Sequence, residues 1–139
     1  ITALRDAMAH HAVGCHQLDG WQMAMSRCPP DPRRGMLLVD PSFEIKSDYD
    51  DIPDFFRKIH RKWGVGILAL WYPILVDERH RPMTAALRAQ FPEASLHEVR
   101  FAPARAGHGM VGSGMFVINA PYGFDAQAAW LSDKFNSLK

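Results

Sequence analysis

Asp40-Pro41-Ser42-Phe43 follows directly on the aliphatic run Gly35-Met36-Leu37-Leu38-Val39, and its chemistry differs from everything before it. The Asp40 carboxylate accepts hydrogen bonds. Pro41 fixes the chain and leaves its carbonyl free as a second acceptor, and Phe43 offers a ring face on which a base could stack. Two acceptors beside an aromatic ring suit one reaction well, methyl transfer to the exocyclic amine of adenine. The lone pair of that amine is delocalised into the ring, and it becomes nucleophilic when acceptors hold its hydrogens and favour a pyramidal nitrogen. The same tetrapeptide also reads as a loop leading into a helix, with a solvent-facing aspartate, because Asp-Pro is a common turn dipeptide.

The elements around the tetrapeptide favour the first reading. An apolar run without alternation, such as Gly35 to Val39, is expected for a central parallel strand covered on both faces. In an open parallel sheet, ligands bind beyond the carboxyl ends of such strands, which is where Asp40 stands. After it, Asp51 is placed to cap a helix whose apolar positions Ile52, Phe55, Phe56, Ile59 and Trp63 share one face, with Pro53 in its first turn and Gly64 closing it. Gly66 to Tyr72 predicts a second strand ended by Pro73, and Pro82 to Phe91 a further helix. Strand, helix, strand, helix is the pattern of a parallel sheet. Leu96 to Phe101 and Met115 to Asn119 read as an antiparallel edge pair joined by a glycine-rich loop, and a last helix starts near Asp125. Upstream, the first ten residues predict an amphipathic helix, Val13 to His16 a short strand, Asp19-Gly20 a turn, and Trp21 to Arg27 a helix stopped by Pro29 and Pro30.

Composition bounds the class. The 139 residues are 47% hydrophobic and 22% charged with net charge +1, an ordinary globular balance for one domain. No apolar run reaches the roughly 18 residues of a membrane span and no leader pattern is present, so the expected place is the cytoplasm and no membrane partner is expected. Arg57, Lys58, Arg61 and Lys62 crowd one segment, and such a basic face suits phosphate as well as plain solvation. Cys15 and Cys28 make no disulfide framework, and with His11 and His16 they lack metal-ligand spacing; buried thiols and no metal are expected. Gly107, Gly109 and Gly112 satisfy G-x-G-x-x-G, yet they precede a strand where a dinucleotide loop must follow one and open a helix.

Three blocks carry a resemblance: Arg33-Arg34-Gly35 with M-L-L-V-D-P-S-F-E-I-K-S-D-Y, then A-L-W-Y-P-I at Ala69 to Ile74, then S-G-M-F-V-I-N-A-P-Y at Ser113 to Tyr122. Together they resemble the RlmJ family of adenine-N6 methyltransferases, which act on large-subunit ribosomal RNA and are also known as proteins for catabolism of external DNA. The resemblance implies a Rossmann-like α/β fold with a mostly parallel sheet and an antiparallel last strand. It implies S-adenosylmethionine as cofactor and ribosomal RNA as partner. Asp40, Pro41 and Phe43 match the catalytic D-P-P-[YF] motif, with Asp40 as amine acceptor and Phe43 as stacking ring. Asp19-Gly20 matches an acidic turn that contacts the cofactor's adenine, and Lys46 and Tyr49 match positions beside the site that could touch RNA. Arg57 and Lys58 are assigned to the RNA surface with them.

Two departures stand out. Ser42 replaces the second proline of the motif, which loosens the loop and keeps the Pro41 carbonyl. The family's N-terminal arm and its glycine-rich cofactor loop have no counterpart here, so residues 1–139 resemble the C-terminal part of one methyltransferase domain. Such a chain is expected to hold the target-base pocket with part of the cofactor pocket, and by itself not to methylate. A different class remains open, a non-catalytic nucleic-acid-binding protein using the basic segment. A nuclease is disfavoured because no strand end gathers the carboxylates of a two-metal site.

Overall fold

The computed structural model describes residues 1–44, 47–101, 107 and 109–137. Four strands form one sheet: β1 (Met36–Val39), β2 (Ile67–Leu75), β3 (Ser95–Arg100) and β4 (Met110–Ile118), in the spatial order β1-β2-β4-β3. β1 and β2 are parallel, with Val39 opposite Leu70, and β4 runs antiparallel to both β2 and β3. The last strand is therefore the one reversed strand, inserted between β2 and the edge. Five helices are found among the described residues: α1 (Thr2–Ala7), α2 (Gly20–Arg27), α3 (Ser47–Lys62), α4 (His80–Gln90) and α5 (Phe124–Ser137).

The core follows from alternation along the strands. Leu68, Leu70, Tyr72 and Ile74 of β2 pair with Ile118, Phe116, Gly114 and Gly112 of β4 and share one face. That face meets the apolar stripe of α3, where Ile52, Phe56 and Ile59 are fully buried, and Met83 and Leu87 of α4. Gly112 and Gly114 are glycines for space: a Cβ on Gly114 would lie 2.2 Å from the Tyr72 ring, and one on Gly112 would lie 2.5 Å from the Val99 carbonyl oxygen. The G-x-G-x-x-G pattern thus ends inside a strand, as its order in the chain predicts. On the other face α5 reaches β3, where His97 Nε2 and Ser132 Oγ share a hydrogen bond of 2.7 Å.

Several boundaries differ from the sequence expectation. β2 passes through Pro73 to Leu75; β1 has already ended at the Val39–Leu70 pair, so from Trp71 onward β2 is paired on one side only, the setting in which a strand tolerates proline. α3 starts at Ser47, ahead of Asp51, which places Pro53 inside the helix, where it is buried. Residues 13–17 form no strand. β1 is not covered on both faces: Met36 is 62% and Leu38 55% exposed, while Leu37 and Val39 turn toward the core. Continuous hydrophobicity predicted its strand, and edge position in the described sheet decided its burial.

Candidate active site

Asp40 lies immediately past the carboxyl end of β1, as its place after the apolar run predicts. It lines a cavity of about 400 Å³ whose walls include Gly20 and Trp21 from the start of α2, Asp40, Pro41 and Ser42, and Asp48 from the first turn of α3. Trp21 meets Phe55 of α3 edge-on at 4.6 Å between ring centroids, and Lys62 Nζ donates to the Met25 carbonyl, so α2 is held against α3 across the cavity floor. Among the described residues, no donor or cation partners the exposed Asp40 carboxylate. A free acceptor at a strand end costs nothing in the core and is available to a ligand.

The loop that carries Asp40 is held in an uncommon backbone state. Phe43 has φ +56°, a left-handed conformation that bulky residues rarely adopt. Its ring is 6% exposed and packs on Tyr49 at 4.8 Å and Trp71 at 6.4 Å between centroids. The sequence reading gave this ring a base to stack on; in the structure it points inward and braces the loop from beneath. Burial of the ring offsets the strained φ.

The other predicted residues divide. Gly20 stands in the cavity wall with Asp40, but Asp19 is the N-cap of α2: its Oδ1 accepts from the Gln22 backbone N–H at 2.8 Å. The short strand expected at Val13 to His16 does not form, and Asp19 stands at a helix start. Tyr49 is buried at 5% exposure and sits behind the loop, not on the surface. Arg57 is exposed on α3 and ion-paired with Asp54 at 3.0 Å, and Lys58 is exposed beside it; neither lines this cavity. Lys46 lies outside the described residues. Sequence reasoning missed Asp48 and Trp21. Asp48 was hidden by placing the helix start at Asp51, although acidic residues in S-D-Y-D-D mark a helix N-terminus.

Cys28 is buried, Cys15 half-buried, and both are free. Burial pushes the Cys28 thiol up, against the opposing pull of Lys62. Among the described residues no group of three or more His, Cys, Asp and Glu side chains could hold a metal ion, and no helix is long and apolar enough to cross a membrane.

Chemically, the cavity presents two carboxylates, an indole and a glycine that leaves backbone accessible. Such a wall suits a cationic or amine-bearing ligand with a flat apolar part. Comparison with known proteins gives the family. The chain is 34% identical over 121 residues to Ribosomal RNA large subunit methyltransferase J of Escherichia coli K12, covering 84% of this chain and 43% of that protein. It is 32% identical over 110 residues to the enzyme of the same name from Haemophilus influenzae Rd, covering 78% of this chain and 39% of the relative. A crystal structure of a Legionella pneumophila protein of the DUF519 family superposes with a TM-score of 0.78 at 26% identity, over 86% of this chain and 45% of that one. The fold is thus the Rossmann-like α/β arrangement of such proteins, and the chain spans less than half the length of the relatives it matches. With residues 2–137 matched by the family described as Ribosomal RNA large subunit methyltransferase D, RlmJ, the chain belongs to the RlmJ family.

Proposed function

We propose that this chain is the target-base part of an enzyme that transfers a methyl group from S-adenosylmethionine to the N6 amine of an adenine in large-subunit ribosomal RNA. The observation that carries the reading is the exposed Asp40 carboxylate at the end of β1, without a partner among the described residues and in one cavity wall with Gly20 and Asp48.

Asp40 accepts one hydrogen of the amine and the Pro41 carbonyl accepts the other. Both contacts draw the nitrogen lone pair out of conjugation and aim it into the cavity. Positive charge builds on the nitrogen as its new bond forms, and the carboxylates of Asp40 and Asp48 favour that charge in a partly enclosed site. S-adenosylmethionine supplies an electrophilic methyl on a sulfonium, a cation that the same two carboxylates suit. Gly20 and Trp21 would hold its flat portion; Asp19 acts through the helix start that it caps. Phe43 serves the reaction by fixing the loop. The adenine must be unpaired or flipped to enter, because N6 is otherwise engaged in pairing. Such a substrate places the protein in the cytoplasm.

The test is methyl transfer to large-subunit ribosomal RNA by the complete gene product and by its Asp40→Asn variant, with cofactor binding followed by calorimetry. A loss of transfer much larger than any loss of cofactor binding is expected. Near-normal turnover by the variant removes Asp40 from the reaction. Binding of RNA with no saturable binding of S-adenosylmethionine would instead favour a non-catalytic role for the basic face of α3.

A further inference from the structure

Val39 is opposite Leu70, which puts Trp71 of β2 level with Asp40, one residue past the last pair of the two strands. Trp71 has two contacts of interest. Its ring meets Phe43 edge-on at 6.4 Å between centroids, and its Nε1 donates to Ser113 Oγ of β4 at 2.7 Å. Ser113 is opposite Pro73 and Met115 is opposite Trp71, so the bond runs diagonally between side chains on one face of the sheet.

This bond bears on the loop that carries Asp40. A bulky residue keeps a left-handed φ, as Phe43 does at +56°, only where its surroundings over-determine it. The rings that surround Phe43 are those of Tyr49 and Trp71. The Tyr49 hydroxyl has no hydrogen-bond partner among the described residues, so that ring is held by packing. Packing has no direction. Trp71 differs, because a bond to its single N–H selects one orientation of the indole. The directional hold on the loop therefore comes from β4, two strands from β1 and about 10 Å away. Neither Trp71 nor Ser113 lines the Asp40 cavity.

We propose that Trp71 and Ser113 are positioning residues for methyl transfer: their hydrogen bond sets the indole, the indole holds Phe43, and Phe43 holds Asp40 and the Pro41 carbonyl in register with one amine. The proposal rests on the adenine methyl-transfer reading. It adds residues that act on the reaction without touching the substrate. Two acceptors must meet the same nitrogen at once, and the loop is not stiffened from within, since Ser42 stands where a second proline would fix φ. An external brace supplies the missing constraint.

The experiment uses the complete gene product with Ser113→Ala, Ser113→Thr, Trp71→Phe and the double variant Ser113→Ala/Trp71→Phe. Misplacing a reacting group by 1 Å can cost about 10²-fold, and partial loss of the brace should lower kcat about tenfold in Ser113→Ala. The KM for RNA and the Kd for S-adenosylmethionine should hardly change, and Ser113→Thr, which keeps the hydroxyl, should return most of kcat. Both single substitutions remove the same bond, so the double variant should fall no further than the worse single one. An unchanged kcat in Ser113→Ala, a fall that Ser113→Thr does not reverse, or losses that multiply in the double variant would each overturn the proposal. In parallel, amide NMR resonances of Asp40, Ser42 and Phe43 are compared between the unsubstituted protein and Ser113→Ala. They should shift, and unmoved resonances overturn the brace. If the unsubstituted protein transfers no methyl group to RNA, the catalytic reading falls, and the NMR comparison alone decides whether Ser113 holds the loop.

Discussion

β1 and β2 are parallel neighbours of nearly identical character, aliphatic strands of the same sheet, and they meet opposite surroundings. Leu70 of β2 is fully buried between α3 and the sheet, whereas Leu38 of β1, one strand away, is 55% exposed. On the β2 side the sheet is so tightly filled that two glycines of β4 exist to admit Tyr72 and Ile74. Around β1 there is a cavity, an exposed carboxylate and a strained loop. The difference shows where this molecule keeps stability and where it keeps reactivity. Packing is concentrated on β2 and β4, and the side chains able to meet a ligand sit at the loosely covered end of β1.

That division can be broken by substitution. The largest effect is expected from Asp40→Asn, which should lower methyl transfer by about 10²–10³-fold, the range for removing one group that stabilises developing charge in the transition state. Thermal unfolding of the same variant should match the unsubstituted protein. A matching loss of stability would merge the two regions that the structure separates.

Next come the two leucines. Leu70→Ala should cost about 2–5 kcal/mol in denaturant unfolding, because it opens a cavity in a filled core. Leu38→Ala should stay within about 0.5 kcal/mol, as an exposed site does. Equal costs would show that the exposed face of β1 is covered in solution.

A smaller loss is expected from Gly114→Ala. Its Cβ would lie 2.2 Å from the Tyr72 ring, and such overpacking costs about 1–3 kcal/mol. Since Tyr72 donates to Glu98 at 2.8 Å, the added methyl should also disturb that bond. Combining Gly114→Ala with Tyr72→Leu should recover part of the loss; no recovery would place the strain elsewhere.

The smallest effect is one of pH. His80 is buried against Tyr72, with its Nδ1 unpartnered among the described residues and Nε2 3.7 Å from Glu98. Burial holds its pKa below the ordinary 6.5, against the pull of Glu98 and Glu78 and with the push of Arg100 and Arg81. The unfolded chain therefore takes up a proton first. The contribution to stability is complete above about pH 6.5 and is lost as pH falls through the folded value. Urea midpoints compared between neutral and mildly acidic pH should drop for the unsubstituted protein and flatten for His80→Gln. Parallel slopes in the two proteins would assign the acid loss to other groups.

Much of this was legible in the chain itself. The apolar runs announced β1 and β2, the spacing of Ile52, Phe55, Phe56, Ile59 and Trp63 announced α3 and its buried face, and Asp40 was recognisable because a carboxylate after an apolar strand has no business in a core. These are local signals: residue type and periodicity act within a few positions of the backbone. What the sequence could not convey depends on neighbours distant in the chain. Pro73 stays in a strand because β1 has ended opposite Leu70, three residues earlier, and leaves β2 paired on one side only. Phe43 turns inward because Tyr49 and Trp71 offer it a place that outweighs a left-handed φ. Tyr49 shares a cavity wall with Asp77 and Arg79 only because the end of β2 brings their loop back to α3. Side-chain type and spacing determined which residues could act, and tertiary packing decided which of them face a cavity, because burial and partnership are properties of contacts between segments and not of any one segment.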